Sequence, residues 1–305
     1  MNQILVSIAM ATYNGELYVA QQLDSILNQT YSNLEIIIVD DNSQDNTYQI
    51  LQNYAHKHDN IKLFKNKVNY GVALTFSRAL SLTTGQFIAC ADQDDVWFAN
   101  KIELLVNNIG DNMLIHSDDV VVDNNLAIIH SSHFAMSKNI YWNNFQDYLI
   151  SVNVTGCTIL VSRYLLEIAL PIPHNFIIHD WYLAIIAAYY NKIKLLNIPL
   201  LYYRQHNRNV SGVRKKTYHD FKQHATIFAK NLYSLSQLDI FNNSKDLLLM
   251  SRYWQAIADH KFDKRLLAQM LCFSHRFKLI VLMLILVLPP PAIAKIFYNL
   301  IRKLV

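Results

Sequence analysis

Apolar positions in the first hundred residues fall into short runs separated by stretches with helical spacing. Ile4–Met10 is apolar apart from Ser7 and reads as a buried strand. The turn Thr12-Tyr13-Asn14-Gly15 follows. Leu17, Ala20, Leu23 and Leu27 then recur every three or four residues, which predicts a helix over Glu16–Asn28. The alternation repeats as strand Leu34–Val39, a helix about Asp45–His58, strand Ile61–Phe64, helix Val72–Leu82, strand Phe87–Ala91 and a helix about Ala99–Ile109. Strands alternating with helices predict an α/β fold, Rossmann-like, with a mostly parallel central sheet. Ligands of such sheets sit beyond the carboxyl ends of the strands.

From Met113 the pattern changes. Leu114–His116, Val120–Val122 and Ala127–His130 are short runs, the last two joined by the turn Asp123-Asn124-Asn125, and predict a small antiparallel part. Ser162–Ala169 and Trp181–Tyr190 read as helices. Lys194–Tyr203 reads as a strand with an edge or a break at Pro199. No internal repeat is present.

Residues beyond Gly212 are helical in pattern and basic, so the chain divides into a body, 1–212, and a helical C-terminal extension, 213–305. Leu279–Leu288 is an apolar run half the roughly 20 residues a spanning helix needs. Pro289-Pro290-Pro291 ends any helix there. After it, Ile293, Ile296, Phe297, Leu300, Ile301 and Leu304 share one helical face, with Lys295, Asn299, Arg302 and Lys303 on the other. Such a cationic amphipathic helix suits a membrane interface; the competing reading is a helix docked on the protein's own core or in a dimer.

Charge sharpens this division. The body holds 12 Lys+Arg against 18 Asp+Glu, a balance of −6, and the extension 15 against 5, a balance of +10. A basic tail seeks phosphate, from nucleic acid or anionic lipid, and the amphipathic pattern favours lipid over nucleic acid here. With 52% hydrophobic and 16% charged residues in 305, disorder is excluded. Cys90, Cys157 and Cys272 are too scattered for a disulfide framework or a zinc motif and read as reduced thiols. Met1-Asn2-Gln3 lacks the basic start of a signal peptide. A cytoplasmic protein, peripheral on the inner face of the membrane, is expected.

Two acidic clusters lie at predicted strand ends. In Asp92-Gln93-Asp94-Asp95, three carboxylates in four residues repel one another, which a divalent cation or hydrogen-bond donors relieve. Oxygen ligands suit Mg²⁺ or Mn²⁺, and such an ion can hold a diphosphate. The plainer alternative is a solvated turn in which Asp95 caps the next helix. In Asp40-Asp41-Asn42-Ser43-Gln44-Asp45, Asp41 can accept from a base or ribose, whereas Asp45 fits a cap for the following helix.

These residues carry a resemblance. Ala11-Thr12-Tyr13-Asn14, Gln29-Thr30-Tyr31, Val39-Asp40-Asp41-Asn42-Ser43, Asn69-Tyr70-Gly71 and Asp92-Gln93-Asp94-Asp95-Val96-Trp97, with Lys101 soon after, resemble in that order a family-2 glycosyltransferase of GT-A fold. Thr155-Gly156-Cys157-Thr158, His179-Asp180-Trp181 and Tyr203-Arg204-Gln205-His206-Asn207 with Asn209-Val210-Ser211-Gly212 extend the match through residue 212 and resemble the rhamnosyltransferase-like branch. The resemblance implies transfer of a sugar from a nucleotide diphosphate sugar, with dTDP-rhamnose the first donor, to a saccharide or lipid-linked acceptor in surface polysaccharide synthesis. It implies that Tyr13, Asp40 and Asp41 meet the base and ribose, and that Arg78, Asp92, Gln93 and Trp181 lie at the donor. It makes Asp94 and His206 ligands of a divalent metal, Mg²⁺ or Mn²⁺, and Asp180 the base.

The chemistry fits these residue types. An attacking hydroxyl must lose a proton, and a carboxylate beside it takes it; a metal offsets charge on the departing diphosphate. No dedicated second nucleophile is visible, so a single inverting displacement is expected. For Asp180 the plainer role is a cap for the helix after it. For His206 it is an ordinary packed or surface histidine, and Trp97 and Trp181 can stack on a sugar or merely pack. The family's glycine after the paired Asp is Asn42 here, which tolerates the same left-handed backbone. Two other readings remain: a non-catalytic nucleotide-sugar-binding subunit, and a phosphohydrolase with two Asp at a strand end.

Overall fold

The structure is a computed structural model. It describes residues 3–136, 144–150, 154–174, 176, 179–206, 209, 218–242, 244–259, 261 and 264–273. Two compact units are present: Met1–Tyr148 with Val152–Gly212, and Leu149–Ser151 with Val213–Val305.

The first unit is built on β1 (Val6–Thr12), β2 (Leu34–Asp40), β3 (Ile61–Lys65), β4 (Phe87–Ala91), β5 (Val96–Trp97), β6 (Leu114–Val122), β7 (Ile128–His130), β8 (Ile159–Ser162) and β9 (Ile193–Arg204). They form one sheet in the order β3-β2-β1-β4-β8-β6-β9-β5, with β7 on β6. Pairings among β1 to β4 are parallel, as the alternation predicts. β8 runs antiparallel between β4 and β6, while β6 and β9 are parallel. The connecting helices are α1 (Val19–Leu27), α2 (Thr47–Lys57), α3 (Val72–Ser81), α4 (Lys101–Ile109), α5 (His133–Met136), α6 (Phe145–Ile150), α7 (Arg163–Ala169) and α8 (His179–Tyr189).

Apolar alternation drives the packing. Ile8, Met10, Ile36 and Ile38 of the sheet meet Val19, Leu23 and Ile26 of α1 and Ile102, Leu105 and Ile109 of α4 in one core. Helix α8 is buried at every position from His179 to Ala188, which is why its sequence lacks an amphipathic stripe. β1 and β2 end level, Thr12 opposite Asp40, and Ala91 of β4 pairs with Met10, so the acidic segments emerge together at one edge.

Three elements differ from the expected pattern. β6 is one strand rather than two. Its polar middle is tolerated because the buried Asp118 carboxylate accepts from the Ser132 hydroxyl and from the His133 and Phe134 N–H groups. β8 and β5 are too short to show in the pattern: Ile159–Val161 merges with the helical pattern after it, and Val96-Trp97 is two residues at the end of the acidic motif. β9 runs through Pro199, where its ladder with β6 shifts register and β5 no longer flanks it, since β5 meets only Leu201 and Tyr202.

In the second unit, α9 (Tyr218–Ser236), α10 (Lys245–Asp259) and α11 (Lys264–Phe273) are described. Phe228 and Trp254 meet edge to face with centroids 5.1 Å apart, and the Ser251 hydroxyl donates to the Ala229 carbonyl (2.8 Å), joining α9 to α10. Among the described residues no helix is long and apolar enough to cross a membrane. The apolar run Leu279–Leu288 and the amphipathic helix predicted over 293–304 lie outside the described residues.

Candidate active site

The carboxyl ends of β1, β2 and β3 are tied together by two aspartates. Asp40 is fully buried and accepts from the Ser43 N–H (2.9 Å), the Ser43 hydroxyl and the Thr12 hydroxyl (3.1 Å). Asn42 takes the left-handed backbone (φ 63°) that its place in the family glycine's position predicts. Asp41, 3% exposed, spends both oxygens on its own chain. Oδ1 accepts from Asn66 Nδ2 (2.7 Å) and the Tyr70 N–H (2.9 Å), and Oδ2 from the Gly71 N–H (2.8 Å). Arg78 continues the chain of contacts, donating to Asn66 Oδ1 and to the Lys65 carbonyl (3.0 Å). Asp40, Asp41 and Arg78, which the resemblance sets at the donor, thus also tie together the loops at this edge. Tyr13 is 43% exposed. Asp45 was expected to cap α2, but the N-cap position falls to Asn46; the Asp45 carboxylate instead accepts from the Thr47 N–H (3.0 Å) as a turn two residues long.

The Asp92-Gln93-Asp94-Asp95 segment crosses this edge from β4 to β5. Gln93 clamps Tyr13, accepting from its N–H (2.8 Å) and donating to its carbonyl (3.0 Å). Gly15 makes room for that amide: a Cβ there would stand 2.2 Å from Gln93 Oε1. Asp94 Oδ2 lies 2.8 Å from His206 Nε2, with the side chains 13% and 7% exposed. A carboxylate and an imidazole brought together beside further carboxylates fit a divalent ion such as Mn²⁺. Asp92, Asp95 and Cys157 also offer ligand atoms within 4.8 Å of one another. Burial, reinforced by Asp94 and Asp180, raises Asp92 to about 7 against the opposing Lys101 charge. Asp95 is fully buried, and burial with the Asp94 and Asp92 charges raises it well above the usual carboxylate range; one of its oxygens has no partner among the described residues.

Asp180 stands in the first turn of α8, which begins two residues earlier than predicted. Burial raises its carboxyl to about 6, opposed by N–H donation from Trp181 (2.6 Å) and Gly156. Gly156 permits this approach, since a Cβ there would lie 3.0 Å from His179 Nε2 and 3.3 Å from Asp180 Oδ2. His179 is stacked under Phe76 (3.8 Å between centroids) and burial lowers it to about 3, so it is neutral beside Asp180. Trp181, expected at the donor, is wholly buried, and its Nε1 donates to the Tyr148 carbonyl (2.7 Å). Trp97 is likewise buried. Both tryptophans pack; neither shows a face to a sugar.

Two cations escaped assignment from sequence. Lys101 is fully buried at the start of α4, with Nζ donating to the Cys157 carbonyl and lying 3.3 Å from the Trp97 ring centroid. Burial lowers its ammonium to about 7, opposed by Cys157, Asp95, Cys90 and Asp92. Arg204 is 2% exposed; its Nε donates to the Asp94 carbonyl (2.7 Å) and its N–H to Asp95 Oδ1 (3.2 Å). The signal for each was a lone charge at the edge of an apolar element.

The geometry can be set beside known proteins. Residues 7–168 match the family described as glycosyl transferase family 2. An Escherichia coli protein named UDP-Glc:alpha-D-GlcNAc-diphosphoundecaprenol beta-1,3-glucosyltransferase WfgD is 33% identical over 205 residues, 65% of this chain and 75% of that protein. The Shigella flexneri dTDP-rhamnosyl transferase RfbG is 29% identical over 216 residues, 67% of this chain and 73% of that protein. In fold, the chain resembles the mannosyltransferase PcManGT of Pyrobaculum calidifontis, solved with GDP-Man and Mn²⁺, at a TM-score of 0.53 and 18% identity over 99% of this chain and 88% of that one. With the family match spanning more than half of the chain, and a GT-A-like sheet bearing its acids at the expected edge, the chain belongs to glycosyl transferase family 2 and is a glycosyltransferase using a nucleotide sugar.

Proposed function

We propose that this glycosyltransferase is an inverting, divalent-metal-dependent enzyme that moves one sugar from a pyrimidine nucleotide diphosphate onto a lipid-diphosphate-linked saccharide, in cell-surface polysaccharide synthesis. The observation that carries the proposal is the meeting, at one sheet edge, of the Asp94–His206 pair with an Asp180 carboxyl close enough to Asp92 to raise it. In this reading the acceptor hydroxyl gives its proton to Asp180 as its oxygen bonds to the anomeric carbon. The bond from that carbon to the diphosphate breaks, and its electron pair leaves with the diphosphate. Asp94 and His206 would hold the ion, which would offset charge on the departing group. Tyr13 offers its ring to the base, and Asp40, Asp41 and Arg78 hold the loops around it.

For the donor, dTDP-rhamnose is the first reading, from the branch resemblance and the Shigella relative. UDP-glucose is the second, because the Escherichia coli relative's name includes it, and the same name supplies the acceptor class. The +10 extension supports a peripheral position on the inner membrane face, beside such an acceptor. A panel of nucleotide sugars assayed with Mn²⁺ and a synthetic GlcNAc-diphospho-lipid tests this. Turnover of one donor, abolished in Asp94→Ala and Asp180→Asn, is expected; no turnover of any donor refutes it.

A further inference from the structure

Asp94 is held from two directions. Arg204 donates to its carbonyl (2.7 Å), and the same guanidinium donates to the Asn124 carbonyl and to Gln21 Oε1 (2.6 Å). Two residues on, His206 reaches the Asp94 carboxylate (2.8 Å). Both side chains lie against one aromatic ring. Tyr18, the residue before α1, has Arg204 Cζ 4.8 Å from its centroid and the His206 imidazole stacked at 4.9 Å with the planes 17° apart. Its hydroxyl donates to Asn124 Oδ1 (3.3 Å). Tyr18, Asn124, Arg204 and His206, drawn from the β1–α1 turn, the β6–β7 turn and the end of β9, thus close a circuit around Asp94.

We propose that Tyr18 is a positioning residue for the Asp94–His206 pair: its ring fixes the plane of the His206 imidazole and thereby sets divalent-ion affinity. The metal clause rests on the proposed reading of that pair as the metal ligands. An imidazole that turns about its χ2 loses its aim at the ion. Flat stacking removes that freedom, and the Arg204 cation against the same ring fixes the ring in turn. Contacts that orient a metal ligand are typically worth 10–100-fold in metal affinity.

The test uses the full chain with Tyr18→Leu, Tyr18→Met and Tyr18→Phe. Mn²⁺ binding is measured by electron paramagnetic resonance, and the His206 ring protons by NMR in metal-free protein, assigned through His206→Gln. Tyr18→Leu is expected to weaken Mn²⁺ binding by about 10–100-fold and to abolish the upfield ring-current shift of His206. Tyr18→Phe keeps the stack and is expected to stay within about twofold of the parent. If Tyr18→Leu destabilises the fold, Tyr18→Met fills the site without a ring and is read in its place. Wild-type Mn²⁺ affinity in the folded Leu or Met variant overturns the proposal. So does a retained ring-current shift in either, or a Phe variant as weak as Leu. Parent protein that binds no Mn²⁺ refutes the metal reading instead; the positioning claim is then judged on the ring shift alone.

Discussion

Asp41 offers the sharpest separation of a direct from an indirect role. Asp41→Ala removes a carboxylate that accepts from Asn66 Nδ2, the Tyr70 N–H and the Gly71 N–H at 2.7, 2.9 and 2.8 Å. Hydrogen bonds to a charged acceptor contribute about 1.5–3 kcal/mol each, so three set a ceiling of roughly 4.5–9 kcal/mol. Water takes over much of two of them, because Tyr70 is 53% exposed and Gly71 lies beside it. The Asn66 amide is 4% exposed and keeps most of its penalty, eased by its remaining contact with Thr75 (3.2 Å). The expected loss is about 2–4 kcal/mol. Urea denaturation reads that loss, and hydrogen exchange at Tyr70 and Gly71 is expected to quicken. The donor KM should rise more than kcat falls, since the loop rather than the chemistry is released. Asp41→Asn should fall between, its amide keeping one acceptor and turning an NH₂ toward a donor. Unchanged stability and unchanged exchange, with donor binding lost, refute the reasoning and make Asp41 a direct ligand contact.

The remaining predictions concern the proposed base, its support and the far end of the sheet. Asp180→Asn should cut transfer by about 10²–10⁴-fold while leaving donor affinity, read by calorimetry, within a few-fold. Because a base must be unprotonated and this carboxyl is raised to about 6, transfer should fall tenfold per unit as pH drops below about 6; an acid limb that persists unchanged in Asp180→Asn assigns it elsewhere. Trp181→Ala should cost about 3–5 kcal/mol, as large aromatic truncations in cores do, and lower kcat through its neighbour; a thermal melt equal to the parent's contradicts the burial argument. At Glu35, burial raises the carboxyl, but hydrogen bonds from Ser7, Thr84 and Lys62 outweigh it and hold it at about 2. A depressed folded value gives stability that is full above the ordinary 4.5 and is lost as pH falls toward 2. Glu35→Gln should therefore cost about 2 kcal/mol at pH 7 and much less at pH 2.5, read from urea midpoints at both.

The parallel half was legible because its signals are local. Ile36–Val39 and Ile88–Ala91 are fully buried strands, and α1 and α3 carry clean apolar faces at Val19, Leu23, Ile26 and at Ala73, Phe76, Leu80. The antiparallel half was legible only at the β6–β7 hairpin, where Val121 and Val122 pair with His130 and Ile128 around the expected turn; elsewhere its stability is set by partners distant in sequence. Nothing near Asp118 announces that Ser132 and His133 will satisfy it inside β6, and β5 exists only because Tyr202 and Leu201 lie alongside. The site divides the same way. Pattern located the acids at strand ends, but not which of them face outward.

That division has a physical cause. A carboxylate accepts several hydrogen bonds, so it suits a turn crowded with backbone N–H groups as well as it suits a ligand. Asp40, Asp41 and Asp118 are consumed in this way, each buried and surrounded by donors from its own chain. Asp92 and Asp94 are only part-buried, Asp94 with His206 as its carboxylate partner, and burial raises Asp92 and Asp180. These aspartates therefore form two populations, one that staples loops and one gathered at a single edge. A cationic ligand has most to gain where the second population gathers, and Arg204 and His206, rather than further acids, complete that edge because the Asp94 backbone and carboxylate need fixed partners on both sides.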